Sequence, residues 1–361
     1  MRENCVLFTV GPVEMSPETL AIGAVQPPYF RTEDFSALML EAESRYLELT
    51  GAPEGSRAVF LSCSGTGGME AMVAGLLTGK DRALVIDGGS FGHRFVELCA
   101  HHGVPTEILS LEPGQALTSS LLESASSAGL TALLVNLHET STGTLYPLPL
   151  LSDYCGRHGL LLLVDGVSSF IAEETDMARW GVDAFLTASQ KALACAPGMA
   201  LLALSPRAAE RALALPSPCY YLSLQAALEN GRRGQSPFTL TESVMLQVAF
   251  RLGQLMNGGL AAERAAMAAA AAAFRLAIGE TPLRLLSQNP SHGVTALCPR
   301  PGVSAYGLFE TLRREYQLCV CPNGGSLRDT VFRVGHMGAL TRGHYQRLLD
   351  AFLDLERRGL L

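Results

Sequence analysis

Lysine is almost absent from this chain, which makes the two lysines that do occur the first candidates for chemistry. Of 27 basic residues 25 are arginines, and the lysines are Lys80 and Lys191. Lysine can form a Schiff base with a carbonyl group, whereas the arginine guanidinium stays protonated. Lys80 lies among turn-forming and charged residues, and Lys191 follows an apolar run. Lys191 is therefore the candidate for amine chemistry, with chance survival of a lysine as the alternative.

A glycine-rich run, SGTGGMEA at 64–71, is the candidate for binding an anion. Backbone N–H groups of such a loop, together with the dipole of the helix that follows, favour a phosphate group. The run is neither GxGxxG nor a Walker A loop, which disfavours a dinucleotide or ATP. A capped helix start without any ligand is the alternative.

Asp165 and Phe91 are candidates for holding a flat, charged ligand. Asp165 ends the apolar run LLLLV at 160–164, where an unpaired carboxylate is costly to bury. A protonated pyridine nitrogen would pair with it, and a helix N-cap or a metal ligand is the alternative. Ser168 and Ser169 nearby do not complete a metal ligand set, so no metal site is predicted. Phe91, on a glycine-rich loop, either lies on a ligand ring or packs in the core.

The elements that must position these residues are short apolar runs separated by helical stretches. Most runs lack polar alternation, which indicates strands buried on both faces of a mainly parallel sheet. The predicted fold class is α/β, with this sheet between helices and with ligands at the carboxyl ends of the strands. The predicted strands are residues 58–62, 83–87, 132–137, 160–165, 184–187 and 199–204.

The predicted domain organisation has three parts: an N-terminal arm at 1–15, a large domain at 16–255 and a small C-terminal α+β domain at 256–361. The second boundary rests on the Asn257-Gly258-Gly259 break. Beyond it the pattern predicts an alanine-rich helix at 261–278, strands at 318–322 and 331–334, and a helix at 342–357.

Composition excludes several classes of protein. A formal net charge of −7 argues against a general nucleic-acid binder, and no apolar stretch is long enough for a membrane helix. Residues 1–4 lack the start of a secretion signal. Nine cysteines without a CxxC pair predict free thiols in the cytoplasm.

Six motifs follow one another along the chain: SGTGGMEA at 64–71, GGSFGHR at 88–94, HETSTG at 138–143, VDGVSS at 164–169, SQKAL at 189–193 and FRVGHMG at 332–338. Together they resemble the class V aminotransferases, in the fold-type I group of pyridoxal-phosphate (PLP) enzymes. The branch that is most similar includes alanine–glyoxylate, serine–glyoxylate and 2-aminoethylphosphonate–pyruvate transaminases. The resemblance implies PLP as the cofactor, and amino transfer from a small donor such as alanine, serine or 2-aminoethylphosphonate to pyruvate or glyoxylate.

The resemblance also implies roles for single residues. Lys191 would form the Schiff base with PLP, and Asp165 would hold the pyridine nitrogen. Val167 would pack under the ring and Phe91 would stack on its opposite face. The other implied cofactor contacts are Ser64, Gly65, Thr66 and Gln190 around the phosphate, and Ser141 at the ring hydroxyl.

A homodimer with shared active sites is the implied assembly. The segment Ser236-Pro237-Phe238-Thr239 matches the one that completes the phosphate site of the neighbouring subunit in this family, with Thr239 as the contact. Ser236 stands where some relatives have a tyrosine. Arg333 would bind the α-carboxylate of the amino acid as a bidentate fork.

Arg31 is the candidate for reading a second anion on the substrate. It follows the aromatic pair Tyr29-Phe30, in a segment that reaches over the active-site mouth in relatives. A salt bridge with Glu33, Asp34 or an acid of the partner is the alternative.

Another PLP reaction on the same fold, of the cysteine desulfurase or lyase type, is the competing function. A cysteine desulfurase would place histidine before the lysine, where this chain has Gln190, and would need a reactive cysteine, for which Cys321 is the candidate. A non-catalytic descendant is disfavoured, because Lys191, Asp165 and Arg333 are all present.

Overall fold

The structure, a computed structural model, describes residues 5–361. Residues 1–4, on which the expectation about secretion rests, lie outside the described residues. The strands are β1 (Val6–Phe8), β2 (Arg57–Leu61), β3 (Ala83–Asp87), β4 (Thr106–Ser110), β5 (Ala132–Asn136), β6 (His138–Glu139), β7 (Thr144–Leu145), β8 (Leu161–Asp165), β9 (Ala184–Ala188), β10 (Ala200–Leu204), β11 (Arg284–Leu285), β12 (Val294–Cys298), β13 (Leu318–Pro322) and β14 (Phe332–Gly335).

Helices connect most of these strands. No helix in the described part of the chain is long and apolar enough to cross a membrane. They are α1 (Pro17–Gly23), α2 (Glu33–Leu49), α3 (Gly65–Leu76), α4 (Ser90–His101), α5 (Ser119–Ser124), α6 (Leu148–His158), α7 (Met177–Trp180), α8 (Pro206–Ala214), α9 (Leu224–Gly231), α10 (Glu242–Leu255), α11 (Gly259–Ile278), α12 (Ala305–Tyr316) and α13 (Arg342–Arg357).

The larger sheet has seven strands in the order β2-β10-β9-β8-β5-β3-β4. The run from β4 to β9 is parallel, and β10 lies antiparallel to both of its neighbours. The predicted α/β fold with a mainly parallel sheet is confirmed, and all six predicted strands are present within one residue at each end. The edge strand β4 was not predicted, because Thr106, Glu107 and Ser110 leave only two apolar residues in a row. One of these two, Ile108, is exposed.

Both faces of this sheet are covered, which explains why its strands lack polar alternation. Successive residues of one strand, such as Leu84 and Val85, are fully buried in different core clusters. One cluster includes Tyr46 of α2, and the other includes Met72 of α3 and Phe95 of α4. Polar side chains are therefore displaced to the ends of the strands.

The smaller sheet combines both ends of the chain, in the order β1-β13-β14-β12-β11. β1 pairs parallel with β13, so residues 6–8 add a strand to the sheet of the C-terminal region. Phe274 of α11, Leu312 of α12 and Phe352 of α13 pack in its core cluster. The predicted C-terminal strands and helices are confirmed, whereas the division at residues 15 and 255 stays a prediction.

Gly68 lets α3 approach the large sheet, and this contact yields a stability prediction. A Cβ at Gly68 would lie 2.4 Å from Leu186 Cδ1 and 3.0 Å from Ala200 Cβ. Gly68→Ala should therefore destabilise the fold by about 1–3 kcal/mol, as overpacking does. Gly156→Ala on α6 meets no atom within 4 Å and should stabilise by about 0.5–1 kcal/mol. Urea midpoints measured side by side check both signs, and equal shifts would contradict the close approach.

Candidate active site

The loops at the carboxyl edge of the large sheet meet around Lys191, as the strand order predicts. Lys191 follows β9 and Asp165 ends β8, while Phe91 lies in the first turn of α4, after β3. The Nζ atom of Lys191 lies 5.9 Å from the centroid of the Phe91 ring. A Cβ on Gly65, at the start of α3, would lie 3.0 Å from Val167 Cγ2. The structure thus brings residues of four separate motifs into one site.

Lys191 is a buried amine, with 7% of its surface exposed. Its Nζ donates a hydrogen bond to the carbonyl of Val10 at 2.8 Å. Burial lowers the pKa of Lys191 to about 8, so roughly a tenth of the amine is uncharged at pH 7, far more than for an ordinary lysine. Lys80 is exposed in a turn. Of the two lysines, Lys191 is the one placed to react with a carbonyl group.

Asp165 is a buried carboxylate that is held by neutral donors. Its oxygens accept hydrogen bonds from Val167 N at 2.9 Å and Asn136 Nδ2 at 2.6 Å. Burial raises the pKa of Asp165 to about 6. A cationic N–H would stabilise its charged form further. Asn136 was missed by sequence reasoning, although its place at the end of β5, beside β8, could have indicated it.

The start of α3 offers open hydrogen-bond donors. Ser64 is the N-cap residue, yet its side chain makes no capping bond. The first N–H groups of the helix therefore lack the side-chain acceptor that such a residue commonly supplies. The Thr66 hydroxyl accepts from Arg94 Nη1 at 3.1 Å, and the buried Oε1 of Gln190 has no partner. The Gln190 side-chain oxygen is thus open to a donor, and the contact of Gln190 with a phosphate stays a prediction.

Glu139 fixes the start of α4 and was also missed by sequence reasoning. Its buried carboxylate accepts from Phe91 N at 3.2 Å, Gly92 N at 2.9 Å and Ser141 Oγ at 2.5 Å. Burial raises the pKa of Glu139. The Ser141 hydroxyl also accepts from Ser90 N at 3.2 Å, so it is already engaged within the protein. Its contact with a cofactor hydroxyl stays a prediction.

Arg333 is a buried cation without an acidic partner in the described part of the chain. Nη1 donates to Thr140 O at 3.3 Å and Nη2 donates to Pro322 O at 2.5 Å. Its buried Nε has no acceptor. The charge of Arg333 is one of the causes that lower the pKa of Lys191. A substrate carboxylate would satisfy both the free N–H and the charge.

Arg31 packs against the segment at 236–239, which contains Thr239. Its Nη1 donates to Gln235 Oε1 at 3.0 Å and to Ser236 O at 2.8 Å, and its guanidinium lies over the Phe30 ring. It forms no ion pair with a carboxylate among the described residues, so the alternative of a bridge to Glu33 or Asp34 is not realised within the chain, and a bridge to an acid of the partner stays untested. The structure uses Arg31 to hold this segment, and contact with a substrate would require these bonds to be exchanged.

Thr239 is exposed, as a residue that contacts a partner subunit would be in a single chain. Ser236 is buried, and its hydroxyl donates to Phe238 O at 2.6 Å. Phe238 in turn stacks on the exposed Tyr221. The segment is thus ordered by its own contacts while Thr239 faces outward.

A group of possible metal ligands lies apart from these residues. Glu70, His101 and His102 have ligand atoms within 4.8 Å of one another. They belong to α3 and the end of α4, and no hydrogen bond joins them to the Lys191 site in the described residues. The prediction that no metal takes part in the chemistry stays untested.

The residues present fit PLP. Three buried atoms at the site lack a partner: Gln190 Oε1, Asn136 Oδ1 and Arg333 Nε. The uncapped start of α3 suits a phosphate, Lys191 suits an aldehyde, and Asp165 suits a protonated ring nitrogen. PLP carries all three groups: a phosphate, an aldehyde and a ring nitrogen that can be protonated. This explains why the site combines an anion cradle, a buried amine and a buried carboxylate.

Comparison with known proteins agrees with this geometry. The sequence profile of the family described as "Aminotransferase class-V" matches residues 27–221. The chain is 30% identical to an aspartate aminotransferase of subgroup IV from Thermus thermophilus, with a TM-score of 0.90 over 98% of this chain and 99% of that one. It is 27% identical to the L-aspartate–glyoxylate aminotransferase of Paracoccus denitrificans, over 94% of this chain and 88% of that protein.

A protein named as the small subunit of a soluble hydrogenase, from Synechococcus, is 28% identical over 94% of this chain and 89% of its own length. The profile match covers more than half of the chain, and the Thermus structure spans nearly all of it. With its lysine, carboxylate and anion cradle on one edge of the sheet, the chain belongs to the class V aminotransferase family and is a PLP-dependent transaminase.

Proposed function

We propose that the amino donor is a small amino acid or 2-aminoethylphosphonate and that the acceptor is pyruvate or glyoxylate. The observation that carries this proposal is the unpaired, buried guanidinium of Arg333 close enough to Lys191 to affect its pKa. An α-carboxylate bound there would be held near the reactive amine. The similarity to an aminotransferase that acts on glyoxylate supports the acceptor class.

Four groups of residues would hold PLP. Residues 64–66 and Gln190 would bind the phosphate, and Lys191 would bind the aldehyde carbon through its amine. Asp165 would keep a proton on the pyridine nitrogen, between the faces covered by Val167 and Phe91. When bound, the cofactor supplies an electron sink for negative charge that develops at the substrate Cα.

Lys191 is the proposed acid–base residue. Once a substrate amine has displaced Lys191 from the cofactor, the neutral Nζ of Lys191 can take the proton from the substrate Cα. The same Nζ can then deliver that proton to the cofactor's C4′, the former aldehyde carbon. A base works best when its pKa lies near the working pH, and burial brings the pKa of Lys191 to about 8. Arg333 would meanwhile fix the carboxylate and so orient the Cα–H bond toward Nζ.

We propose a homodimer in which Thr239 reaches the phosphate site of the partner subunit. The proposal is supported by the exposure of Thr239 and by the ordered segment around it. We also propose a cytoplasmic location, since buried free thiols at Cys99, Cys155 and Cys195 suit a reducing compartment.

Replacing Lys191 tests its assignment. Lys191→Ala should remove covalent labelling by PLP and borohydride and lower turnover by about 10²-fold or more, the usual contribution of a general base. Lys80→Ala is the matched control and should change neither. In the wild type, the rate of PLP attachment should rise with pH through about 8, because only the deprotonated amine attacks. Peptide mapping that finds the label on Lys80 would sink the assignment.

A donor panel tests the proposed substrates and the role of Arg333. Alanine, serine, aspartate and 2-aminoethylphosphonate are each offered with pyruvate and with glyoxylate, and the new amino acid is detected. In single half-reactions, Arg333→Gln should lower kcat/KM for the α-amino acids by about 10- to 100-fold, the loss expected for a charged hydrogen bond. 2-Aminoethylphosphonate has no α-carboxylate and should be less affected. Equal losses for all donors would contradict the carboxylate role.

Thr239 and Arg31 allow the shared site to be tested. Thr239→Val should weaken PLP binding by about 10-fold or more through loss of a charged hydrogen bond, and PLP should stabilise the dimer of the wild type. Arg31→Ala should weaken PLP binding in the same direction if it holds the segment. A rise in KM for anionic donors alone would instead show that Arg31 reads substrate. A monomer with full activity, seen by light scattering at assay concentration, would refute the shared site.

A further inference from the structure

Arg94 lies directly beside residues 64–66, the phosphate loop of the proposed cofactor site. Its Nη1 donates to Thr66 Oγ1 at 3.1 Å, and its Cζ lies 4.7 Å from the centroid of the Phe91 ring. The side chain is half-buried. Arg94 therefore touches two residues that are proposed to contact the cofactor, one at the phosphate and one at the ring.

The charge of Arg94 is not neutralised within the described residues. It forms no ion pair there with a carboxylate, whereas Arg57 pairs with Glu43 and Arg211 pairs with Asp81. Its field contributes to the lowered pKa of Lys191. A half-buried cation that lacks an acid and is held in place by a hydroxyl suits an anion that arrives from outside the chain.

The phosphate loop needs a cation of this kind. A phosphate monoester carries roughly −1.5 to −2 charges near pH 7, whereas a helix N-terminus offers only about half a positive charge. The loop itself, residues 64–66, contains no charged side chain. Lys191 is occupied at the aldehyde end in the proposed function, so Arg94 is the cation that remains beside Thr66.

We propose that Arg94 supplies the positive charge of the cofactor phosphate site, acting on the phosphate beside the Thr66 hydroxyl that it holds. This inference rests on the proposed function and adds to it the residue that distinguishes a phosphorylated cofactor from an unphosphorylated one. With a phosphate in place, the Thr66 hydroxyl would donate its proton to the phosphate while still accepting from Arg94, which aligns both groups.

The comparison of PLP with pyridoxal, which lacks the phosphate, tests this charge directly. Binding to the apoenzyme is followed by the change in cofactor absorbance, without any turnover. Arg94→Gln should weaken PLP binding by about 10- to 100-fold, as expected for loss of a charge-assisted contact. The same change should leave pyridoxal binding nearly unaltered. Inorganic phosphate should compete with PLP on the wild type and compete less on Arg94→Gln.

Two further variants control for structure. Arg94→Lys keeps the charge and should recover part of the difference between PLP and pyridoxal even if Arg94→Gln folds poorly. Arg179→Gln removes another arginine that lies over an aromatic ring, with its Cζ 4.3 Å from the Trp180 centroid and far in sequence from the loop. It should bind both cofactors as the wild type does.

Each other outcome overturns the inference. Equal weakening of PLP and pyridoxal would mean that Arg94 only orients Phe91, and unchanged binding of both would mean that it has no role. A higher KM for anionic donors without loss of PLP affinity would assign it to the substrate. A wild-type chain that forms no adduct with PLP at Lys191 would overturn the proposed function itself, whereas an adduct with wild-type affinity in Arg94→Gln removes this inference alone.

Discussion

Burial of the large sheet on both faces is the constraint on which the rest of the structure depends. Its strands carry apolar side chains toward two core clusters, and a polar group inside either cluster would lose its hydration without compensation. The carboxyl ends of the parallel strands are where polar groups and backbone N–H donors can remain accessible. Asp165 and Lys191, which follow adjacent strands, therefore meet at one edge, and the site is a consequence of how the sheet is covered.

The ionisable groups at this edge are held mainly by neutral partners. Asp165 is bound by an amide side chain and a backbone N–H, Lys191 by a carbonyl, and Arg333 by two carbonyls. Neutral partners orient a charged side chain, but they offset only part of the free-energy cost of removing its charge from water. This is why burial moves the pKa of Asp165 up and that of Lys191 down. A ligand that brings opposite charges to these positions would form the ion pairs that these side chains lack within the described chain. PLP together with an amino acid is such a ligand.

Both ends of the chain close the site from the smaller sheet. The carbonyl of Val10, just after β1, accepts from Lys191, and Arg333 extends from β14 toward Thr140. Asn323, after β13, donates to Ser141 O at 2.9 Å. Because β1 pairs with β13 and β13 pairs with β14, the segment that covers the lysine and the strand that carries Arg333 belong to one sheet.

The sequence by itself determined the strand pattern and the mainly parallel sheet, because burial on both faces removes polar alternation from the strands. The scarcity of lysine made Lys191 a candidate, and its role in amine chemistry stays a prediction. Motif order was sufficient to indicate the family as well. Tertiary structure decided what depends on partners far apart in sequence. Asn136 and Glu139 look like ordinary polar residues until they are seen to hold Asp165 and the first turn of α4. For Arg31 the sequence left a substrate contact and a salt bridge both open, and only the structure shows its bonds to residues 235–236. Sequence spacing cannot reveal such pairings, because hydrogen bonds across a sheet edge depend on the order of the strands. They also depend on which polar groups are buried away from water and must therefore bond to one another.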